Sequence, residues 1–284
     1  MGATTERAFK YHGIGNDFVL LDRRGSGADI DARTAIALCD RRRGIGADGV
    51  LVLLPARDAA ARLAVHNADG SVAEMCGNGL RCAVKYLVDR SRSRPEAIDI
   101  AAGGGVLRCT IEYGPEGARE IQVAMGPARL VAPNLPSAKT GRPFVDEELR
   151  GHAPLRGTAV NVGNPHLVLS EVALEEAARL GPLLERHPDF PERTNVEFVA
   201  SEGDGLRVVV WERGVGLTQA CGTGACAAVA AGVKRGVVPG GRWVPVLLPG
   251  GRLEIRVAPD LSACDLRGPA TFVFEATVAL PPGD

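Results

Sequence analysis

Two cysteines in this chain each precede a short glycine-rich turn. Cys76 is followed by Gly77-Asn78-Gly79, and Cys221 is followed by Gly222-Thr223-Gly224. After each turn the apolar residues recur at helical spacing, so each thiol is predicted to lie at a helix N-terminus. The partial positive charge there favours a thiolate, and small residues let the backbone amides of the first turn face a ligand. For an isolated cysteine, a buried structural role before a tight turn would be the simpler interpretation.

A second short signature is also repeated. Gly15-Asn16 comes before the first cysteine and Gly163-Asn164 comes before the second, at nearly the same distance in both cases. Two signatures that recur in the same order indicate a duplicated domain. We therefore expect two related domains that direct two thiols and two helix N-termini at one cleft.

Two opposed cysteines suit the inversion of a carbon that bears hydrogen. A thiolate on one face can remove the proton while a thiol on the other face returns one. The charge that develops spreads into the adjacent carboxylate of an amino acid, where two helix N-termini, each with roughly half a positive charge, could stabilise it. This chemistry requires neither a pyridoxal lysine nor a metal ion, and we therefore predict no cofactor and no metal site.

The repeated turns and their neighbours resemble the motifs of the diaminopimelate epimerase family. The matches run in order from about Phe9 to Phe274, so the resemblance covers nearly the whole chain. Each motif alone is weakly specific, whereas six in order, with two Cys-Gly-x-Gly turns, are specific. The motifs that carry the resemblance are Gly13-Ile-Gly-Asn-Asp-Phe18, Asn67-Ala-Asp-Gly-Ser71, Met75-Cys-Gly-Asn-Gly79, Gly163-Asn-Pro-His166, Glu212-Arg213 and Ala220-Cys-Gly-Thr-Gly-Ala225.

The resemblance implies a reaction and a role for each candidate residue. The reaction would interconvert LL- and meso-diaminopimelate for lysine and cell-wall synthesis. Cys221 would accept the proton from the LL form and Cys76 would donate one on the opposite face, with His166 and Glu212 assisting. Arg213 would grip a carboxylate, because its forked donors fit that group in a bidentate manner. The residues assigned to substrate binding are Asn16, Asn67, Gly77, Asn78, Asn164, Asn195, Arg213, Gly222 and Thr223.

Residue types alone leave plainer interpretations open at several of these positions. His166 could be hydrogen-bonded within a loop, Glu212-Arg213 could be a surface pair at a strand end, and each asparagine could form a turn. Their positions beside the repeated signatures favour an amide-lined pocket. Amides both donate and accept hydrogen bonds, so they suit a zwitterionic substrate.

The resemblance also implies the fold class, which is α+β. We expect two pseudo-symmetric mixed α/β domains, each a curved, barrel-like sheet around a central helix, with the active site in the cleft between them. The first domain is predicted to comprise residues 1–124 with 268–284, and the second residues 125–267. Apolar spacing predicts the central helices over 77–89 and 222–235. The second of these is almost wholly apolar and should therefore be buried.

Two further segments carry expectations of their own. The segment 174–187 is predicted to be helical, with an interruption at Gly181-Pro182. The segment Gly44-Ile-Gly-Ala-Asp-Gly49 has the glycine spacing of a dinucleotide-binding loop, but a helix precedes it and a strand follows, which reverses the order that such a loop requires. We therefore predict no NAD site. The family often carries a polar side chain where Gly49 stands, so this contact is expected to be absent or made by the backbone.

Composition argues against several classes of protein. A length of 284 residues corresponds to about two domains, and the formal net charge of −1 gives no support for binding nucleic acid or an anionic membrane. Neither a signal peptide nor a membrane-spanning run is visible. The seven cysteines form an odd number without a C-x-x-C pair, which suits a reducing cytoplasm and argues against a zinc site or a disulfide scaffold. We predict a cytoplasmic enzyme that acts on a small molecule.

Two other functions stay open. A related racemase of proline, hydroxyproline or histidine would use the same cysteine chemistry, although these substrates lack the second carboxylate that Arg213 would bind. The other alternative is a non-catalytic or thiol-redox protein on the same scaffold, and the lack of a C-x-x-C pair argues against redox work. The resemblance further implies a homodimer, with Phe274 at a position where an aromatic dimer contact is common.

Overall fold

A computed structural model of the chain describes residues 5–73, 76–152 and 154–281. Met75, which belongs to one of the motifs above, lies outside these residues. The chain divides into two compact units. The first unit comprises Met1–Val123 with Gly268–Asp284, and the second comprises Ala124–Arg267.

Strands outnumber helices among the described residues. As far as residue 126 the elements are β1 (Thr5–Gly13), β2 (Asn16–Asp22), α1 (Ala32–Cys39), β3 (Gly49–Leu54), β4 (Ala61–Asn67), α2 (Gly77–Asp89), β5 (Ala97–Ala102), β6 (Gly105–Gly114) and β7 (Gly117–Gly126). They continue with α3 (Ser137–Thr140), β8 (Glu147–Glu148), β9 (Arg156–Asn161), β10 (Pro165–Leu169), α4 (Ala177–Leu184), β11 (Asn195–Glu202), β12 (Gly205–Glu212), β13 (Gly216–Leu217), α5 (Gly222–Lys234), β14 (Trp243–Leu248), β15 (Gly251–Val257), β16 (Cys264–Gly268) and β17 (Thr271–Ala279). A 3₁₀ turn at Leu174–Glu176 leads into α4.

Each unit contains a mixed sheet, and the two sheets repeat one pattern. In the first unit the strand order is β17-β1-β2-β3-β4-β5-β6-β7, with parallel pairs β2–β3 and β4–β5 and antiparallel pairs elsewhere. In the second unit it is β9-β10-β11-β12-β14-β15-β16, with parallel pairs β10–β11 and β12–β14 and antiparallel pairs elsewhere. Strands β1 to β7 therefore correspond, in order and direction, to β9–β12 and β14–β16. This repetition confirms the predicted α+β fold of two pseudo-symmetric units.

A long helix occupies the same place in both units. α2 connects the parallel strands β4 and β5, and α5 connects β12 with its parallel neighbour β14. Each helix has 13 residues and packs against several strands of its own sheet. α5 is buried from Gly222 to Gly232, as its apolar sequence predicts. The predicted bounds of α2 are confirmed, whereas α5 ends at Lys234, one residue earlier than predicted, with Arg235 as its cap.

The predicted interruption of the helix at Gly181-Pro182 is wrong. α4 runs through both residues, and the backbone N–H of Glu185 donates to the carbonyl of Gly181 at 2.8 Å. A Cβ atom built on Gly181 would lie 2.5 Å from Cγ of Trp211, so glycine lets the indole of β12 pack directly on the helix backbone. Proline removes one N–H donor, and this close packing on β12 keeps the helix continuous despite that loss.

The glycine-rich loop 44–49 lies between α1 and β3, so a helix precedes it and a strand follows, as predicted. Within the loop, the backbone N–H of Asp48 donates to the carbonyl of Asp17 at 2.9 Å. This bond ties the loop to the start of β2. In the part of the chain that the structure describes, no helix is both long enough and apolar enough to cross a membrane.

Candidate active site

Cys76 is the N-cap residue of α2. Its Sγ accepts a hydrogen bond from the backbone N–H of Gly79 at 3.2 Å, in the manner of a serine or aspartate cap. A Cβ atom built on Gly79 would lie 3.2 Å from this sulfur and 2.7 Å from Cδ2 of Leu51. The second glycine of the turn is therefore required, because a side chain there would displace the thiol or the strand that packs against it.

Cys221 caps α5 in the same way. Its Sγ accepts a hydrogen bond from the backbone N–H of Gly224 at 3.3 Å, and Oγ1 of Thr223 lies 3.4 Å from the same sulfur. A Cβ atom on Gly224 would lie 3.3 Å from Sγ and 2.9 Å from Oε1 of Glu197. Both Cys-Gly-x-Gly turns thus place a cap thiol against the third residue of the helix, where glycine fits best.

The first turns of α2 and α5 are suited to an anion. Their N–H groups belong to Gly77 and Asn78 in one helix and to Gly222 and Thr223 in the other, and all four residues are buried. N–H groups in a first turn have no partner within their own helix, and the helix dipole adds positive potential there. Each turn therefore combines a thiol with a position that can hold a carboxylate.

The surroundings of Cys221 keep its thiol protonated. The residue is only 6% exposed, and burial is the main cause that raises its pKa well above the ordinary value. The carboxylates of Glu212 and Glu197 raise the pKa further, whereas the hydroxyl of Thr223 and the N–H of Gly224 lower it less. The N–H of Gly224 at the helix N-terminus acts towards a thiolate, but burial and the two carboxylates outweigh it at Cys221.

Asn16 and Asn78 belong to one chain of hydrogen bonds in the first unit. Nδ2 of Asn16 donates to Oδ2 of Asp48 at 2.8 Å, and Nδ2 of Asn78 donates to Oδ1 of Asn16 at 3.2 Å. The guanidinium of Arg81 donates to Oδ1 of Asn78 at 2.8 Å. This chain holds the two amides together beside the first turn of α2.

Arg81 is fully buried and was not among the predicted site residues. Besides Asn78, its guanidinium donates to the carbonyl of Gly77 and to the carbonyl of Pro269, both at 3.2 Å. A buried guanidinium needs partners of this kind to offset its loss of hydration. Arg81 thus joins the start of α2 to the segment that leads into β17. An arginine in the helical stretch directly after the cysteine turn is the sequence signal that could have identified it.

Asn67 ends β4 and begins the loop that leads to α2. Its Nδ2 donates to Oγ of Ser71 at 2.9 Å, and its backbone N–H donates to the carbonyl of Ser71 at 2.8 Å. Gly49 lies opposite Asn67 in the register of β3 with β4. A Cβ atom on Gly49 would lie 2.7 Å from the carbonyl oxygen of His66, so any side chain at this position would force the strand pair to shift.

His166 is fully buried on β10 between two polar partners. Its Nδ1 lies 2.7 Å from Oε1 of Glu197, and its Nε2 lies 2.8 Å from Oδ1 of Asn164. Glu197 is also fully buried, and burial raises the pKa of its carboxyl while the positive charge of His166 acts to lower it. Glu197 was not among the predicted site residues, although a glutamate within the otherwise apolar stretch 196–199 is a signal that could have identified it.

Asn195 and Arg213 meet where β11 begins and β12 has just ended. Oδ1 of Asn195 accepts the backbone N–H of Arg213 at 2.9 Å, and its Nδ2 donates to the backbone at the start of β10 at 2.9 Å. Arg213 as a whole is half-buried, and its guanidinium donates to the carbonyl of Glu192 at 3.1 Å. Next along the chain, Glu212 accepts a hydrogen bond from the hydroxyl of Thr218 at 2.6 Å.

Known proteins match the chain over almost its whole length. The sequence profile of the family described as diaminopimelate epimerase matches residues 8–131 and 158–273. A diaminopimelate epimerase from Synechococcus elongatus is 42% identical over 280 residues, which cover 95% of this chain and 97% of the relative. One from Desulforudis audaxviator is 44% identical over 272 residues, which cover 94% of this chain and 96% of the relative. The chain belongs to the diaminopimelate epimerase family.

Solved structures with the same fold come from proteins with other names. A hydroxyproline epimerase from Agrobacterium vitis is 17% identical, with a TM-score of 0.73, and the match covers 98% of this chain and 92% of that one. A phenazine biosynthesis protein from Bacillus anthracis is also 17% identical, with a TM-score of 0.71, covering 97% of this chain and 99% of that one. At this level of identity the likeness shows the fold alone.

Within each unit, the structure groups most of the site residues predicted from the diaminopimelate epimerase family. In the first unit, Asn16, Gly77 and Asn78 lie with Cys76 at the start of α2, whereas Asn67 is bonded within its own loop. In the second unit, the groups are Asn164 with His166, Asn195 with Arg213, and Gly222, Thr223 and Glu212 around Cys221. Arg81 and Glu197 join these groups as residues that the prediction did not include.

The other cysteines are buried, which agrees with a packing role. They are Cys39, Cys82, Cys109, Cys226 and Cys264. Burial raises the pKa of Cys82 and of Cys109 to about 12 and that of Cys39 to about 11, so these groups stay thiols at neutral pH. Over the described residues, no cluster of three or more histidine, cysteine, aspartate or glutamate side chains could hold a metal ion.

Proposed function

We propose that this protein is a diaminopimelate epimerase, an isomerase that interconverts LL- and meso-diaminopimelate in lysine and peptidoglycan biosynthesis. The observation that carries the proposal is the matched pair of turns in which Cys76 and Cys221 each cap a buried helix, in a chain of this family. A reaction that removes a proton from one face of a carbon and returns one to the other needs two such groups.

The proposed reaction exchanges one proton on each face of the α-carbon. The thiolate of Cys221 takes the α-proton of the LL form, so a C–H bond breaks and an S–H bond forms. The electron pair spreads into the neighbouring carboxylate. The thiol of Cys76 then gives its proton to the opposite face, a new C–H bond forms, and Cys76 is left as the thiolate. The reverse reaction uses the same two groups with their roles exchanged.

The protonation of Cys221 affects the two directions differently. Burial and the carboxylates of Glu212 and Glu197 favour the thiol of Cys221. With Cys221 as the thiol, Cys221 can supply a proton to the meso form, and Cys76 must then be the group that removes one. The LL form requires Cys221 to lose its proton before the reaction begins.

The remaining groups of the site are assigned to the two ends of the substrate. The first-turn amides of Gly77–Asn78 and Gly222–Thr223 hold the reacting carboxylate, where the helix dipoles stabilise the charge that develops. Arg213 pairs with the distal carboxylate through its forked donors. Asn67, Asn164 and Asn195 complete the recognition of the distal centre, which carries both an ammonium and a carboxylate group.

The proposed function extends to the oligomeric state of the enzyme and to its cellular compartment. The two compact units act as the two epimerase domains, no cofactor takes part, and the enzyme works as a cytoplasmic homodimer. Support for the dimer comes from β17, where Phe272 is 41% and Phe274 is 42% exposed. Large apolar side chains that are exposed side by side on a strand are typical of an interaction surface.

Exchange of the α-proton tests the proposed function. The purified protein is incubated in heavy water with LL- and meso-diaminopimelate, lysine, proline, hydroxyproline and histidine, and proton NMR follows the loss of the α-proton signal. We expect exchange and epimerisation of diaminopimelate alone. If proline or histidine exchanged its α-proton as fast as diaminopimelate does, the assignment of diaminopimelate as the substrate would be abandoned. A lack of exchange with all six compounds would contradict an epimerase function.

A further inference from the structure

The buried pair of His166 and Glu197 occupies a place that is apolar in the first unit. In that unit, Phe18 of β2 lies beside Gly49 of β3. In the second unit, His166 of β10 lies beside Asn195 of β11 in the corresponding register. His166 therefore corresponds to Phe18, the fourth residue of the repeated Gly-Asn signature in each unit.

Glu197 corresponds in the same way to Leu51. Each stands two positions after the aligned residue of its strand. Each also lies against the second glycine of its cysteine turn, because a Cβ on Gly79 would meet Leu51 at 2.7 Å and a Cβ on Gly224 would meet Glu197 at 2.9 Å. The first unit thus fills this place with apolar side chains. Since burial of ionisable groups costs free energy, the second unit carries its polar pair for a reason other than core packing.

The hydrogen bonds of His166 and Glu197 indicate where the protons of this pair lie. Oδ1 of Asn164 accepts from Nε2 of His166, so that ring nitrogen carries a hydrogen. The 2.7 Å contact between Nδ1 and Oε1 of Glu197 holds a second hydrogen, which the ring and the carboxyl share.

The pair of His166 and Glu197 fixes the orientation of the Asn164 side chain. The side chain of Asn164 is partly exposed, and its Oδ1 is directed at His166. Its Nδ2 is left for another acceptor, and none of the described residues accepts a hydrogen bond from it. An amide donor held in this way matches a carboxylate of an amino-acid substrate.

We propose that Glu197 is a positioning residue of the active site. It anchors Nδ1 of His166, and the anchored ring holds Asn164 with its Nδ2 directed at a substrate carboxylate. The inference rests on the proposed function, which supplies an amino-acid substrate with two carboxylates. Glu197 does not touch the reacting atoms, and its effect passes through His166.

The first unit suggests the variants for the test. Glu197→Leu and His166→Phe install the residues that the first unit carries at the same places, so the single and double variants should fold. Glu197→Gln can still bond to Nδ1 and serves as the conservative variant. Glu202→Gln, on the same strand but facing solvent, is the matched control. Calorimetric titration with meso-diaminopimelate gives the affinity even for a variant without turnover, and a thermal melt reports stability.

Glu197→Leu should weaken the binding of diaminopimelate by about tenfold or more. Its melting temperature should be equal to or above that of the wild type, because an apolar side chain replaces a buried charge. Glu197→Gln should retain most of the affinity, and Glu202→Gln should retain all of it. In the His166→Phe background, Glu197→Leu should have little further effect, since the two residues act as a unit.

Two results would overturn the proposal. The first is a Glu197→Leu protein that binds diaminopimelate as tightly as the wild type. The second is a double variant in which the losses of binding free energy caused by Glu197→Leu and His166→Phe simply add.

Nitrogen-15 NMR of the His166 ring provides a readout that does not depend on the substrate. The wild type should show hydrogen on both ring nitrogens, and Glu197→Leu should show it on one. A wild type that neither binds nor epimerises diaminopimelate would refute the proposed function, while the ring spectrum would still decide whether Glu197 anchors His166.

Discussion

Sγ of Cys221 accepts a hydrogen bond from the backbone N–H of Gly224 at 3.3 Å. The equivalent bond between Cys76 and Gly79 is 3.2 Å long. In each unit, one short turn therefore fixes a thiol and the first turn of a helix relative to each other. The glycine at the third helical position is what lets the sulfur approach so closely, and it explains the form of the repeated motif.

Gly224→Ala tests this role of the turn. The added methyl would meet the thiol of Cys221 at 3.3 Å and the carboxyl of Glu197 at 2.9 Å, so one of them must move. We expect a loss of stability of about 1–3 kcal/mol. We also expect a fall in kcat of roughly tenfold or more, because the thiol is displaced from the substrate. Urea unfolding and a steady-state epimerase assay measure the two effects.

Gly105→Ala is the control for that substitution. A Cβ on Gly105 would meet nothing within 4 Å, so this variant should keep both stability and turnover. An unchanged kcat in Gly224→Ala would show that the position of the thiol is not set by the turn.

The raised pKa of Cys221 predicts how its alkylation depends on pH. Only the thiolate reacts with iodoacetamide, so the reaction should be slow at about pH 8 and accelerate as the pH rises. Glu212→Gln removes one of the two carboxylates that raise the pKa, so its Cys221 should lose the proton at lower pH and react faster at about pH 8. Mass spectrometry of the peptide that contains Cys221 gives the rate. A slower reaction in Glu212→Gln would contradict the assigned cause.

Arg81 should be needed for both stability and substrate binding. Arg81→Met leaves the carbonyls of Gly77 and Pro269 and the amide of Asn78 without the donor that they share. We expect a loss of about 3 kcal/mol in the free energy of unfolding and an increase in KM. Urea unfolding and steady-state kinetics measure these effects. Arg108→Met, whose side chain is 67% exposed in the wild type, should change neither quantity, and an Arg81→Met protein as stable as this control would contradict the role.

Arg213 should determine the choice of substrate. A bidentate contact with the distal carboxylate is a charge-assisted interaction worth about 1.5–3 kcal/mol. Arg213→Lys should restore function only in part, since a point charge cannot make the forked contact. Turnover should fall along with affinity, because remote binding also positions the reacting carbon. Kinetics with diaminopimelate and with lysine check this, and an Arg213→Lys enzyme with wild-type kinetics would argue against a forked contact.

Patterns that repeat along the chain were accessible from the sequence. The two cysteine turns and the Gly-Asn signatures predicted the duplication, and apolar spacing predicted α2 with its observed bounds. The almost wholly apolar composition of 222–235 predicted a buried helix, and α5 is buried on all sides over most of its length. These features depend on local spacing and on burial, which a sequence records directly.

Contacts between distant segments were not accessible in this way. Arg81 bonds to Pro269, and Glu197 bonds to His166, so the role of each depends on a partner that only the folded sheet brings near. The continuity of α4 depends on the indole of Trp211 packing against Gly181. The protonation of Cys221 depends on carboxylates from two other strands, whereas the sequence shows only the helix that follows it.

The proposed mechanism requires that the thiols of Cys76 and Cys221 share one reaction. Cys76→Ala, Cys221→Ala, Cys82→Ala and Cys226→Ala are each incubated with LL- and meso-diaminopimelate, and the approach to the equilibrium mixture is followed by chromatography. We expect the first two variants to fold but to epimerise neither form, and the last two to lose stability while they keep turnover. Robust epimerisation by Cys76→Ala or by Cys221→Ala would contradict the two-thiol mechanism.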